Sequence, residues 1–167
     1  MHQETHVVGF RVGHETYGIP IAALHEIVRV PEITAIPDAA AHIEGVINLR
    51  GKIVAVVDLR KRFGTCASRI DRHSRILVVG HQGRLAGLVV DAASEVIRIP
   101  ASEIETATAL MQEGGLDCVT GLGKYQGRLI ILLDVDKVLN MRDHSSAPGA
   151  AGAESGKSLA QSARAGK

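Results

Sequence analysis

Aromatic residues are scarce in this chain: 167 residues contain no Trp, two Phe and two Tyr. Nucleic-acid binders normally show a basic excess or stacking aromatics. Neither is present, since 19 Lys and Arg face 18 Asp and Glu for a formal charge of +1. Cysteine is equally sparse. Cys66 and Cys118 lie far apart without CxxC spacing, which fits reduced thiols of a cytoplasmic protein better than a disulfide framework. The start, MHQETHVVGF, has no basic region followed by an apolar segment. No apolar run approaches the ~18 residues that suggest a membrane span. A soluble, intracellular protein without direct membrane insertion is the expectation.

Catalytic constellations are also missing. The eight His form no HxH or HExxH pair, so they read as surface or loop residues and no metal site is expected. No GxSxG and no Gly-rich phosphate loop ending in Lys-Ser or Lys-Thr occurs. Gly121-Leu122-Gly123 begins like a dinucleotide fingerprint, but a strand follows where a helix would be needed. Asp58, Asp91 and Asp134 are a conceivable carboxylate set, yet two of them fall at equivalent positions of a repeat and read as helix caps. Nothing here calls for a cofactor.

What the chain does have is 46% hydrophobic residues, enough for a core, arranged around Gly45–Arg60, GVINLRGKIVAVVDLR. Two short β-branched runs flank Arg50-Gly51-Lys52, which reads as a hairpin with Gly51 at positive φ. Ile53, Ala55 and Val57 point one way and Val54 and Val56 the other, so this strand is expected to be covered on both faces. Asp58 is placed to cap a short helix over Leu59–Phe63, a contribution of about 1 kcal/mol. Upstream, strands are predicted over Val7–Val12 and Thr16–Ile19, then a helical turn from Ile21 feeding a strand that ends at Pro31. Ala39–Ile43 is a possible short helix.

Two blocks recur. Gly18–Pro31 lies without a gap on Gly87–Pro100, matching Glu26 with Glu95 and Arg29 with Arg98. The hairpin lies on Gly121–Leu139, matching Gly45 with Gly121, Gly51 with Gly127 and Asp58 with Asp134. Five short strands in roughly 65 residues with little helix close into a small barrel more readily than a sandwich. A barrel that small has a thin core, so two joined along an apolar seam stabilise one another. Subdomains over about 6–63 and 75–141 are expected, joined by a linker at 64–74 and followed by a disordered tail at 142–167.

The segments Glu15–Ile21, LHEIV at Leu24–Val28, Ile36-Pro37-Asp38, the long block Ile43–Gly64, GLVVD at Gly87–Asp91 and the closing ILLDVDKVL together resemble the CheW family of chemotaxis coupling proteins, over about residues 6–141. The resemblance implies a mostly β fold of two Src-homology-3-like five-stranded β-barrels packed together. It implies a non-enzymatic adaptor joining cytoplasmic tips of chemoreceptors to the regulatory domain of the histidine kinase CheA. One barrel would dock on the kinase and the groove between barrels would take the receptor tip. Such a protein is monomeric alone, multimeric in arrays, and cytoplasmic but recruited to membrane receptors through its partners. Carried over by position, the partner-binding residues are Leu24, Glu26, Gly45, Arg50 and Gly51, while Gly127, Asp58 and Asp134 are turn or cap residues. Arg50 stands out because its repeat counterpart is Gln126, so the common plan needs no cation there. Leu24 likewise faces Ala93 in the alignment, whereas Gly45 recurs as Gly121 and admits a backbone reason. A coupler of a non-flagellar chemosensory pathway, or a small metal protein or enzyme using the scattered His and Asp, are the alternatives.

Overall fold

The structure, a computed structural model, describes residues 3–39, 43–63, 69–107 and 117–140. The helix considered at Ala39–Ile43 falls largely outside these, as do residues 64–68 of the linker and the tail at 142–167; Ile43 itself opens a strand. Strand β1 (Glu4–Val12) turns at Gly13 into β2 (Glu15–Pro20), and a 3-10 turn at Ile21–Ala23 leads into β3 (Leu24–Arg29). The predicted helical turn is thus one short turn, and Leu24 and Ile27 already lie in extended chain. Then come β4 (Ile43–Leu49), β5 (Lys52–Asp58) and helix α1 (Leu59–Arg62). The second half supplies β6 (Arg75–His81), β7 (Arg84–Val90), β8 (Ala92–Pro100), a 3-10 turn at Ala101–Glu103, β9 (Ile104–Thr106), β10 (Val119–Tyr125), β11 (Arg128–Leu133) and α2 (Val135–Asn140).

These strands form two sheets, in the orders β8-β1-β2-β11-β10-β9 and β3-β6-β7-β5-β4. Each therefore draws on both halves of the chain, which corrects the expectation of contiguous subdomains at 6–63 and 75–141. The hairpin β1–β2 sits with the late strands of the second repeat, and β6–β7 with those of the first. The exchange is reciprocal and in register. Val56 lies opposite Gly87 in the parallel pair β5·β7, and Leu132 opposite Gly18 in β11·β2. Leu24 opposite Val79 and Ala93 opposite Phe10 repeat the relation at the other edge, each beside a β-bulge.

Three buried clusters follow from the alternation of side chains along twisted strands. Val7, Ile97, Ile99, Ile130 and Leu132 fill the six-stranded sheet. Ile47, Val54, Val56, Ile76, Val78 and Val89 fill the five-stranded one. The third and largest joins them, with Phe10, Tyr17, Ile19, Val57, Leu59, Leu77, Leu88 and Val138 among its members. Complete burial of such a side chain is worth about 1.5–3 kcal/mol. The few aromatics are concentrated at this junction: Tyr17 stacks on Phe10 at 5.9 Å and on Phe63 at 4.9 Å between ring centroids. Burial pushes both the Tyr17 phenol and the Cys118 thiol above their usual pKa.

Strand β5 departs from its expected environment. Val54 and Val56 are buried inside their sheet and Val57 in the junction, but Ala55 is exposed and Ile53 is 71% exposed. The junction covers only the strand's C-terminal end. Its outer face near the turn remains open.

Candidate functional site

The β4–β5 turn is built by Arg50 and Gly51, both at positive φ, 50° and 86°. This is the mirror-image two-residue turn that matches the twist of paired strands. The Asn48 side-chain oxygen accepts from the Gly51 amide at 2.8 Å and steadies it. A Cβ on Gly51 would meet nothing within 4 Å, so conformation and not space favours glycine there. The β10–β11 turn repeats the geometry with Gln126 at 49° and Gly127 at 74°.

The turn carries Arg50 across to Glu26 on β3. One guanidinium N–H donates to Glu26 Oε1 at 2.9 Å and a second to Oε2, a bidentate pair. Since β3 and β4 are the two edge strands of the five-stranded sheet, this pair bridges its open edges. Arg50 is nevertheless 70% exposed and solvent-facing. The hydrogen bonds from Arg50 hold the Glu26 carboxyl below the usual carboxylate range. The structure thus brings together Glu26, Arg50 and Gly51, three residues singled out from sequence. Exposed Ile53 lies on the strand leaving the same turn, opposite Asn48. Sequence reasoning missed it because an apolar run carries no mark of which member faces solvent.

Leu24 and Gly45 stand apart from that cluster. Leu24 begins β3, half-buried against the junction core. Gly45, at φ 148°, has its backbone against the Thr34 carbonyl: a Cβ there would lie 2.1 Å from that oxygen. At Gly121 the equivalent contact is the Glu105 carbonyl at 2.7 Å. Close backbone approach accounts for glycine at both positions.

Asp58 caps α1, accepting from the Arg60 amide at 2.9 Å. It also holds the buried Arg60 side chain, through Nε at 2.9 Å and Nη2 at 2.8 Å. Arg60 extends to Asp91 Oδ1 at 3.5 Å, and Asp91 Oδ2 accepts from the Gly13 amide at 2.7 Å. Asp58 and Asp91 are therefore partners of one guanidinium that ties α1 to the β1–β2 turn of the other sheet. Asp134 accepts from the Lys137 amide at 3.2 Å, the equivalent cap without the arginine.

Between the sheets lies a groove of about 230 Å³, lined by Pro20, Ala23, Gly80, Thr120, Leu133 and Asp136 among others. Asp136, on its wall, meets His81 at 2.7 Å. Among the described residues, no three His, Cys, Asp or Glu converge as a metal site, and no helix is long and apolar enough to cross a membrane. The arrangement presents a charged rim beside an exposed aliphatic residue, and an inter-sheet groove.

Comparison with known proteins agrees with this geometry. The model of the CheW-like domain matches residues 6–143. The chain is 34% identical over 132 residues to the chemotaxis protein CheW of Helicobacter pylori, covering 79% of each. It is 34% identical over 84 residues to the protein PilI of Pseudomonas aeruginosa, covering 50% of this chain and 47% of that one. The crystal structure of the scaffolding protein TtCheW from Thermoanaerobacter tengcongensis superposes with a TM-score of 0.73 at 36% identity, covering 84% of this chain and 95% of the other. With the family's domain matched over most of the chain and its fold shared with a solved CheW scaffold, the chain belongs to the CheW family.

Proposed function

We propose that this protein is a non-enzymatic adaptor that couples the cytoplasmic tips of chemoreceptors to the histidine kinase CheA. The observation that carries the reading is the exposed Arg50–Glu26 pair, present on one repeat only, on the hairpin that also exposes Ile53. A charged bidentate pair flanking an apolar side chain suits docking on a kindred barrel of the kinase: the aliphatic group contributes buried area and the pair sets register. The inter-sheet groove near Ala23 is the place for a receptor helical tip, with half-buried Leu24 following directly in the chain. Holding both partners raises the local concentration of kinase at the receptor. Coupling also passes on receptor state if the contacts differ between signalling states. In this reading the protein is cytoplasmic, monomeric alone and recruited to membrane arrays through its partners.

The test is a binding assay with a receptor cytoplasmic fragment and with the kinase regulatory domain. Arg50→Ala or Glu26→Lys should weaken one of the two by about tenfold or more without unfolding the protein. Undiminished binding of both partners by both variants refutes the site. The likeness to PilI favours a second reading, a coupler in a non-flagellar chemosensory pathway. Capture of the cognate kinase and receptors from the native host separates the two.

A further inference from the structure

Arg29 ends β3 and lies directly opposite Arg75, the first residue of β6. Like charges in that position destabilise a sheet unless something offsets them. Among the described residues, no carboxylate lies within ion-pair distance of Arg29, Arg72 or Arg75. Arg75 donates to the carbonyls of Arg72 and Ser74, both at 2.8 Å, and Arg72 Nε donates to the His73 ring at 3.3 Å. All three arginines line one cleft of about 430 Å³, together with His73, Ser74 and Asp71. Asp71 Oδ1 accepts from the amides of His73 at 2.7 Å and Ser74 at 3.1 Å. Those bonds hold it below the usual carboxylate range and therefore charged. Three guanidiniums against one carboxylate leave two positive charges uncompensated, with His73 counted as neutral.

The other sheet shows that the fold does not require this. At the matching end of β1, Arg98 faces His6, and Glu4 occupies the place of His73 with its carboxylate 3.8 Å from the His6 ring. Gln3 stands where the five-stranded sheet has Arg72. One repeat keeps its charges offset and the other gathers them around a cavity.

We propose that the Arg29–Arg72–Arg75 cleft is a binding site for a phosphate-type dianion, a phosphate monoester or pyrophosphate group carried by a small soluble molecule. Guanidinium forks match phosphate oxygens bidentately, and two uncompensated positive charges match a dianion better than a single carboxylate. The volume lies within the range of small-molecule sites. Asp71 narrows the choice further, since its fixed charge repels an anion that does not engage at least two of the arginines.

Isothermal titration of the full chain with inorganic pyrophosphate, at ionic strength held constant with sodium chloride, tests the proposal. One saturable site with Kd of about 1 mM or tighter is expected. The double variant Arg29→Gln/Arg72→Gln should weaken it by about tenfold or more while leaving the circular dichroism spectrum and kinase binding unchanged. Absence of a saturable site, equal affinity in the double variant, or association with phosphatidate vesicles without pyrophosphate binding would each overturn it.

Discussion

The two glycine-turned hairpins, β4–β5 and β10–β11, share backbone geometry and differ in chemistry. Both turn through a non-glycine residue and a glycine at positive φ, both leave an aliphatic residue exposed after the turn, and both end in an Asp-capped helix. The first adds Arg50, paired with Glu26, and Arg60, paired with Asp58 and Asp91. At the matching places the second has Gln126 and Asp136. Whatever the fold demands should appear in both copies, so what appears once has another purpose or a local one. By that criterion the glycines and caps belong to the architecture. Arg60 anchors one junction, and Arg50, paired with Glu26, is the residue on which the proposed docking rests.

The largest expected effect tests Arg60. Replacing it by Ala strands Asp58 as a buried charge and should cost about 3–5 kcal/mol in urea unfolding. Asp136→Ala at the matching position loses only an exposed contact with His81 and should stay within about 1 kcal/mol. Equal costs would erase the distinction between the hairpins. Next come the glycines. Gly45→Ala forces a Cβ onto the Thr34 carbonyl in an unfavourable backbone state, and about 2–3 kcal/mol should be lost. Gly51→Ala, with open space around it, should lose about 1 kcal/mol from conformation alone. A reversed ranking would show that the β4 contact relaxes more easily than its geometry suggests.

Smaller still in stability, and larger in meaning, is the pair Arg50→Ala and Gln126→Ala. Neither should move the urea midpoint measurably, because both side chains are solvent-facing, yet only Arg50→Ala should impair partner binding. The subtlest prediction concerns pH. The folded-state pKa of Glu26 is depressed by Arg50, so the linkage stabilises the fold above the unfolded carboxylate pKa and is lost as pH falls through the lowered folded value. Carboxyl-detected NMR should show Glu26 titrating below the usual range, and Arg50→Ala should return it upward. An unchanged titration would mean that the pair is not maintained in solution.

Much of this was legible because local physics repeats. Alternating β-branched runs marked the strands around Gly51, and the Asn48–Arg50–Gly51 turn needs only its own residues to form. Arg50 was conspicuous by comparison with Gln126 before any geometry was known. The environment of Ile53 was not legible, since Ile53, Ala55 and Val57 form a uniform apolar row of which the junction covers only the far end. Nor was the bond between Arg60 and Asp91, which lie far apart in the chain and meet only where α1 packs on β7.

From residue pattern alone came the strands, the doubled plan, the turn chemistry and the family resemblance, because each depends on neighbours in sequence or on copies of the same motif. Only the tertiary structure decided which hairpin completes which sheet. Gly18 and Gly87 occupy equivalent places, so β5 and β11 could each pair with either one on local grounds. Long-range pairing resolved that ambiguity by exchanging the hairpins, and the exchange sets the ends of the large shared junction and leaves the first hairpin rim exposed.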